Sequence, residues 1–128
     1  MELKTHGKAS PSLVGRVVII EEGVAAVVEL EASDDMAVDE HGLVHGGFTF
    51  GLADYAAMTA VNHPYVVLGG AECRFVAPVR VGDKMVARAS VKGGEGRRRD
   101  VDVEVSVEEK KVFEGIFKCF ILDKHIFG

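Results

Sequence analysis

Between Gly46 and Val61 the chain carries a run of small and apolar residues broken by one charge, Asp54. Phe48, Phe50, Leu52, Ala53, Ala56, Ala57, Met58, Ala60 and Val61 fall on nearly every side of a helical wheel. A helix that is apolar all round is buried, not laid on a surface. His63-Pro64 ends the run, because proline disfavours helical geometry in the residue before it. The run is too short and too charged to cross a bilayer, which takes about 20 mostly apolar residues.

The remainder reads as β. Val17–Ile20 and Val24–Val28 are β-branched runs separated by Glu21-Glu22-Gly23, a hairpin in which glycine supplies the positive φ. Residues 33–44 read as a loop. After the helix, Tyr65–Leu68 leads through Gly69-Gly70 to Glu72–Val76, and Val81-Gly82-Asp83 turns the chain into Met85–Val91. The glycine-rich stretch 93–96 is the next turn. Val101, Val103, Val105 and Val107 then alternate with Asp100, Asp102, Glu104 and Ser106, the period-2 pattern of a strand with one wet face. Val112–Leu122 is the last strand. The order β-β-α-β-β-β-β predicts an α+β fold, one buried helix under a largely antiparallel sheet. No repeat or linker divides the 128 residues, which are 48% hydrophobic. The expectation is a loose, polar surface segment over 1–12 and one domain over 13–128.

The 15 basic and 20 acidic side chains give a formal charge of −5, which argues against a nucleic-acid partner. Cys73 and Cys119 form neither a zinc pattern nor a disulfide framework, and the histidines have no metal spacing, so no metal is expected. No signal peptide or membrane segment is visible, and the expected location is cytoplasmic.

Asp54 is the chemical question. A buried carboxylate is costly without a partner, so it is either satisfied internally or held for a function. Gly46-Gly47 at the helix start leave backbone N–H groups uncrowded at the positive end of the helix dipole. Such a place suits either a tight turn or a carbonyl oxygen gaining negative charge.

His45-Gly46-Gly47 followed by Leu52-Ala53-Asp54-Tyr55-Ala56 resembles the HGG…LaDxA signature of hotdog-fold acyl-CoA thioesterases, the PaaI-like branch in particular. Phe75-Val76-Ala77-Pro78-Val79-Arg80-Val81-Gly82-Asp83 is similar to that family's F-x-x-P-x-x-x-G-D block. The resemblance covers nearly the whole chain from about residue 13. It implies a hotdog fold in which two subunits pair and two active sites form at their interface. It implies Asp54 as general base or nucleophile and the Gly46 N–H of the facing subunit as oxyanion donor, with His45 holding the loop. Gly47, Phe48 and Leu68 fall at substrate-binding positions, Leu68 standing where some relatives carry an assisting Ser or Thr. The family usually has Asn where this chain has Asp39, which either donates a hydrogen bond in its protonated form or points elsewhere.

Arg97-Arg98-Arg99 reads as a solvated turn and strand start, or as the place where one or two arginines, with Arg97 and Arg98 as candidates, take the phosphates of coenzyme A. His41 and His63 are lesser acid–base candidates. The expected activity is hydrolysis of an acyl-CoA by a homodimer or homotetramer, with no cofactor beyond the coenzyme A of the substrate. The competing readings are a non-catalytic acyl-CoA-binding sensor or carrier and an enoyl-thioester hydratase or dehydratase. No helix-turn-helix region is visible before the domain, so direct DNA regulation is not expected.

Overall fold

A computed structural model describes residues 2–128. A short helix α1 (Pro11–Val14) leads into the hairpin β1 (Arg16–Glu21) and β2 (Ala25–Glu31), closed by Gly23 at φ 75°. A 3-10 turn (Asp34–Met36) precedes the helix α2 (Gly46–Val61), followed by β3 (Val66–Phe75), β4 (Lys84–Gly93), β5 (Arg98–Val107) and β6 (Lys110–Ile121). The strands form one antiparallel sheet in the order β1-β2-β4-β5-β6-β3. The chain therefore leaves the sheet after β2, runs through α2, and returns at the far edge as β3. This is the hotdog arrangement in which the sheet curls around the helix.

Small residues let the sheet close on α2. Ala53, Ala56, Ala57 and Ala60 are fully buried, and the larger Leu52 and Met58 fill the space between them. The sheet answers with Val101, Val103 and Val105 from β5 and Phe113 and Phe117 from β6, all essentially inaccessible. The alternation in β5 is realised as read, with the acidic residues on the opposite face. There Lys111 bonds both Glu104, at 3.0 Å, and Glu114, at 2.9 Å. Those two acids lie opposite each other in the ladder, so the lysine offsets a like-charge cross-strand pair.

Residues 66–75 form the one strand expected there, with a register shift between Leu68 and Gly70, and Arg98 and Arg99 start β5. One expectation changes: the N-terminal segment is docked rather than loose. Asn62, 2% exposed and in the left-handed region at φ 51°, caps α2. Its side chain accepts the Lys4 N–H at 2.8 Å and donates to the Glu2 carbonyl at 2.8 Å and to the Glu22 carboxylate at 3.1 Å. Lys4 and Glu22 form an ion pair at 3.0 Å beside it.

Candidate active site

The first turn of α2 is built by crowding. His45 is its N-cap, and the imidazole Nδ1 accepts the Gly47 N–H at 2.8 Å. The proton of the neutral ring is thereby placed on Nε2. The His45 backbone N–H donates to the Met36 carbonyl at 2.9 Å and the Val44 N–H to the Val79 carbonyl at 2.9 Å, so the approach to the helix is held from both sides. A Cβ on Gly47 would stand 2.8 Å from His45 Nδ1, and one on Gly46 would stand 3.0 Å from the Phe75 ring. A side chain at either position would have to push its neighbour's ring aside. Among the described residues the Gly46 N–H has no acceptor, whereas that of Gly47 is taken by His45 and that of Phe48 by the His45 carbonyl.

Asp54 lies in the middle of the same helix and is half-buried. Its Oδ1 is buried and has no hydrogen-bond partner among the described residues. Loss of water around it pushes the carboxyl up to about 6. The neighbouring Cys119 thiol is pushed up to about 12, by burial first and then by the charges of Asp54 and Asp100. Cys119 is therefore a neutral thiol. Its Sγ points to the Phe117 carbonyl at 3.7 Å, leaving Asp54 unbonded.

Gly46 and Asp54 are eight residues apart on one helix. That separates them by about 12 Å along the helix axis. One carbonyl group cannot reach both within a single chain.

The other candidate residues fall in several places. Phe48 is half-buried, its ring edge-on to His45 at 6.1 Å between centroids. Leu68 is half-buried at the start of β3, directly across from Cys119 and thus near Asp54. Asp39 points into its own loop, where one carboxylate oxygen accepts the His41 N–H at 2.9 Å and the Leu43 N–H at 3.2 Å. Arg97 is exposed and paired with Asp123, and Arg98 lies 3.2 Å from the Asp100 carboxylate. His63 accepts the Tyr65 N–H at 3.0 Å and serves a turn, and His41 is exposed.

Sequence reasoning passed over Phe75, although it begins the F-x-x-P block. It is 56% exposed and covers Gly46. Beside it opens a cleft of about 350 Å³ that has Gly46 on its lining.

The chain matches the MaoC-like domain family over residues 39–112. In structure it is similar to the uncharacterized protein PH1136 of Pyrococcus horikoshii, with 56% identity, 100% and 98% of the two chains covered and a TM-score of 0.97. It is also similar to the phenylacetic acid degradation protein PaaI of Thermus thermophilus, solved as an Asn-to-Asp mutant, with 32% identity, 86% and 95% of the two chains covered and a TM-score of 0.78. Among curated proteins it is 46% identical to methylthioribose-1-phosphate isomerase of Aquifex aeolicus over 96% of this chain. It spans only 27% of that enzyme's length, and 56% of the next curated relatives it matches. The domain match and the fold agree with the HGG and F-x-x-P motifs: the chain belongs to the MaoC-like domain family, within the hotdog superfamily and on its PaaI-like branch.

Proposed function

We propose that two copies of this chain pair and hydrolyse an acyl-CoA thioester to the free acid and coenzyme A. The observation that carries this reading is the buried Asp54 carboxylate oxygen with no partner among the described residues. A carboxyl held near pKa 6 without a bond suits a general base more than a structural ion. Ionised Asp54 takes a proton from water as that water attacks the thioester carbonyl carbon. The carbonyl oxygen gains negative charge against the Gly46 N–H and the positive end of α2. Collapse of the tetrahedral intermediate breaks the C–S bond, and the thiolate leaves with the proton returned from Asp54. A thioester needs little help to its leaving group, so one base and one oxyanion donor suffice.

The pairing follows from the distance between the two groups. β3 is a ten-residue edge strand with one free side, and Gly69-Gly70-Ala71 leaves its middle smooth. Asp54 belongs to the Leu68 end of β3, through Cys119, and Gly46 to the Phe75 end. Antiparallel pairing of β3 with its symmetry mate, centred near Gly70, sets the Leu68 end of one chain against the Phe75 end of the other. Each Gly46 N–H then meets the partner's Asp54. Arg97 and Arg98 are the proposed ligands of the coenzyme A phosphates, exchanging carboxylate partners for the anion.

The test is thiol release from short-chain, long-chain and aryl acyl-CoAs by the wild type and by Asp54→Ala. Loss of at least 100-fold in kcat/KM is expected, as for removal of a general base. Wild-type rates in Asp54→Ala would refute it. The MaoC-like match favours hydration of an enoyl thioester as the second reading, with His41 and Asp54 as acid and base. Water addition to crotonyl-CoA, followed by loss of its enoyl absorbance, tests that reading.

A further inference from the structure

Val101, Val103 and Val105 fill the face of β5 that packs on α2, and the next position of that face toward the start of the strand is Arg99. Strand side chains alternate faces, so Arg99 lies on the helix side of the sheet, directly across from the buried Cys119. It is half-buried there. A cation drawn out of water without a counter-charge is costly, so an arginine on an otherwise apolar face needs a partner. Among the described residues no carboxylate supplies one. Asp100 lies on the opposite face with Arg98, and Asp123 is taken by Arg97. Glu22 is held by Lys4 at 3.0 Å and by the Asn62 amide at 3.1 Å.

The donors of Arg99 are nonetheless held in place. Its Nη1 donates to the Gly96 carbonyl at 2.7 Å and to the Arg98 carbonyl at 2.9 Å, so the turn before β5 fixes the plane of the guanidinium. Nε and Nη2 have no acceptor among the described residues, and together they form one edge of the fork. Arg99 lines two cavities, of about 330 and 220 Å³, that share His63 and Ile121 with it. The larger is also bordered by Tyr65, Arg97 and Asp123. His63 brings a second donor to both. Its Nδ1 accepts the Tyr65 N–H at 3.0 Å, which places the proton of the neutral ring on Nε2.

We infer that Arg99 and His63 form an oxyanion site beyond the C-terminal end of α2, that it takes a phosphate monoester group, and that Arg97 adds charge at its rim. A carboxylate spends both oxygens on a guanidinium fork, whereas a phosphate group offers a third to the imidazole. Its double charge near neutral pH also answers both Arg99 and Arg97, the latter exchanging the exposed Asp123 for the anion. The site needs no hydrolysis and stands apart from the thioesterase reading.

The experiment is calorimetric titration of the full chain with inorganic phosphate, for the wild type, Arg99→Gln, Arg99→Lys and Arg88→Gln. Arg88 is exposed and faces Glu104 on the next strand, and serves as the control for overall charge. Millimolar phosphate should bind the wild type and Arg88→Gln alike, less tightly as salt is raised. Arg99→Gln should weaken binding by about tenfold or more, as for loss of a charge-assisted hydrogen bond, with Arg99→Lys between the two because it keeps the charge and loses the fork. Coenzyme A and dephospho-coenzyme A then separate the two sources of such a group. Tighter binding of coenzyme A that disappears in Arg99→Gln makes the anion the coenzyme's own 3′-phosphate. Equal binding of the two, with inorganic phosphate still bound through Arg99, makes it a separate phosphorylated ligand, and both results support the site. Should Arg99→Gln fail to fold, NMR of the wild type decides, since phosphate must shift the His63 imidazole signals. No phosphate binding, equal losses in Arg99→Gln and Arg88→Gln, or His63 signals unmoved by phosphate overturn the site and leave Arg99 as a brace of the turn.

Discussion

The Gly47 N–H is bonded to the ring of His45, at Nδ1, at 2.8 Å, in a space that a methyl group on residue 47 could enter only by moving that ring. The Gly46 N–H is left as a first-turn donor with no acceptor among the described residues. Gly47→Ala is therefore expected to displace the imidazole and to lower kcat more than it raises KM. His45→Ala should cost about 1 kcal/mol of stability, the usual value of an N-cap. Steady-state kinetics and urea denaturation on both variants check the pair.

Asp54 sets stability against activity. Its folded pKa of about 6 lies above the ordinary 3.8, so between these values the folded state binds the proton more tightly than the unfolded state does. Stability contributed by the protonated carboxyl is complete below the unfolded pKa and is lost as pH rises through about 6. Asp54→Asn removes that loss and should stabilise the protein at pH 7 by on the order of 2 kcal/mol, with no gain at pH 3.5. Denaturant titrations at the two pH values measure it.

The same ionisation governs the rate. A base must be deprotonated to act, so kcat/KM should rise with pH, pass its midpoint near 6 and level off above about 7. A profile flat from pH 5 to 8 would remove Asp54 from the proton transfer.

Asn62 ties three segments together, and its replacement separates its two tasks. Asn62→Gly keeps the left-handed backbone but removes three hydrogen bonds, and should lower stability by roughly 2–3 kcal/mol. Hydrogen exchange should show the loss of protection beginning at Lys4.

The β3 edge makes the pairing testable on its own. Ala71 is exposed near the middle of the strand, where Ala71→Asp sets two like charges across the symmetry axis. Light scattering should show monomers with an unchanged far-UV spectrum, and thiol release should vanish with the dimer.

Much of this molecule is legible in its residues, for physical reasons that differ by region. The all-round apolar run of α2 admits only a buried helix, and the Val–acid alternation of β5 admits only a strand with one wet face. His45-Gly46-Gly47 is legible as a helix start because glycine there answers to crowding. Asp39 is less so, because a carboxylate in a loop bonds whichever amides the local turn supplies, here those of His41 and Leu43. The docking of Glu2 and Lys4 depends on Asn62, whose partners lie as far as 60 residues away in the chain. No local pattern encodes such a tie. Arg97 and Arg98 invite a phosphate when read alone, but Asp123 and Asp100 are brought to them only by the folded sheet.

The eight-residue distance between Gly46 and Asp54 has a genetic consequence. In a dimer whose sites each draw one group from each chain, an Asp54→Asn chain and a Gly46→Val chain are both inactive alone. Mixed together, they rebuild one site that holds an intact Asp54 from one parent and an intact Gly46 from the other. The second site collects both lesions. Random reassortment of subunits should thus restore about one quarter of the wild-type sites, the share expected for a two-fold dimer. Such complementation between two dead proteins is impossible for a site contained in one chain.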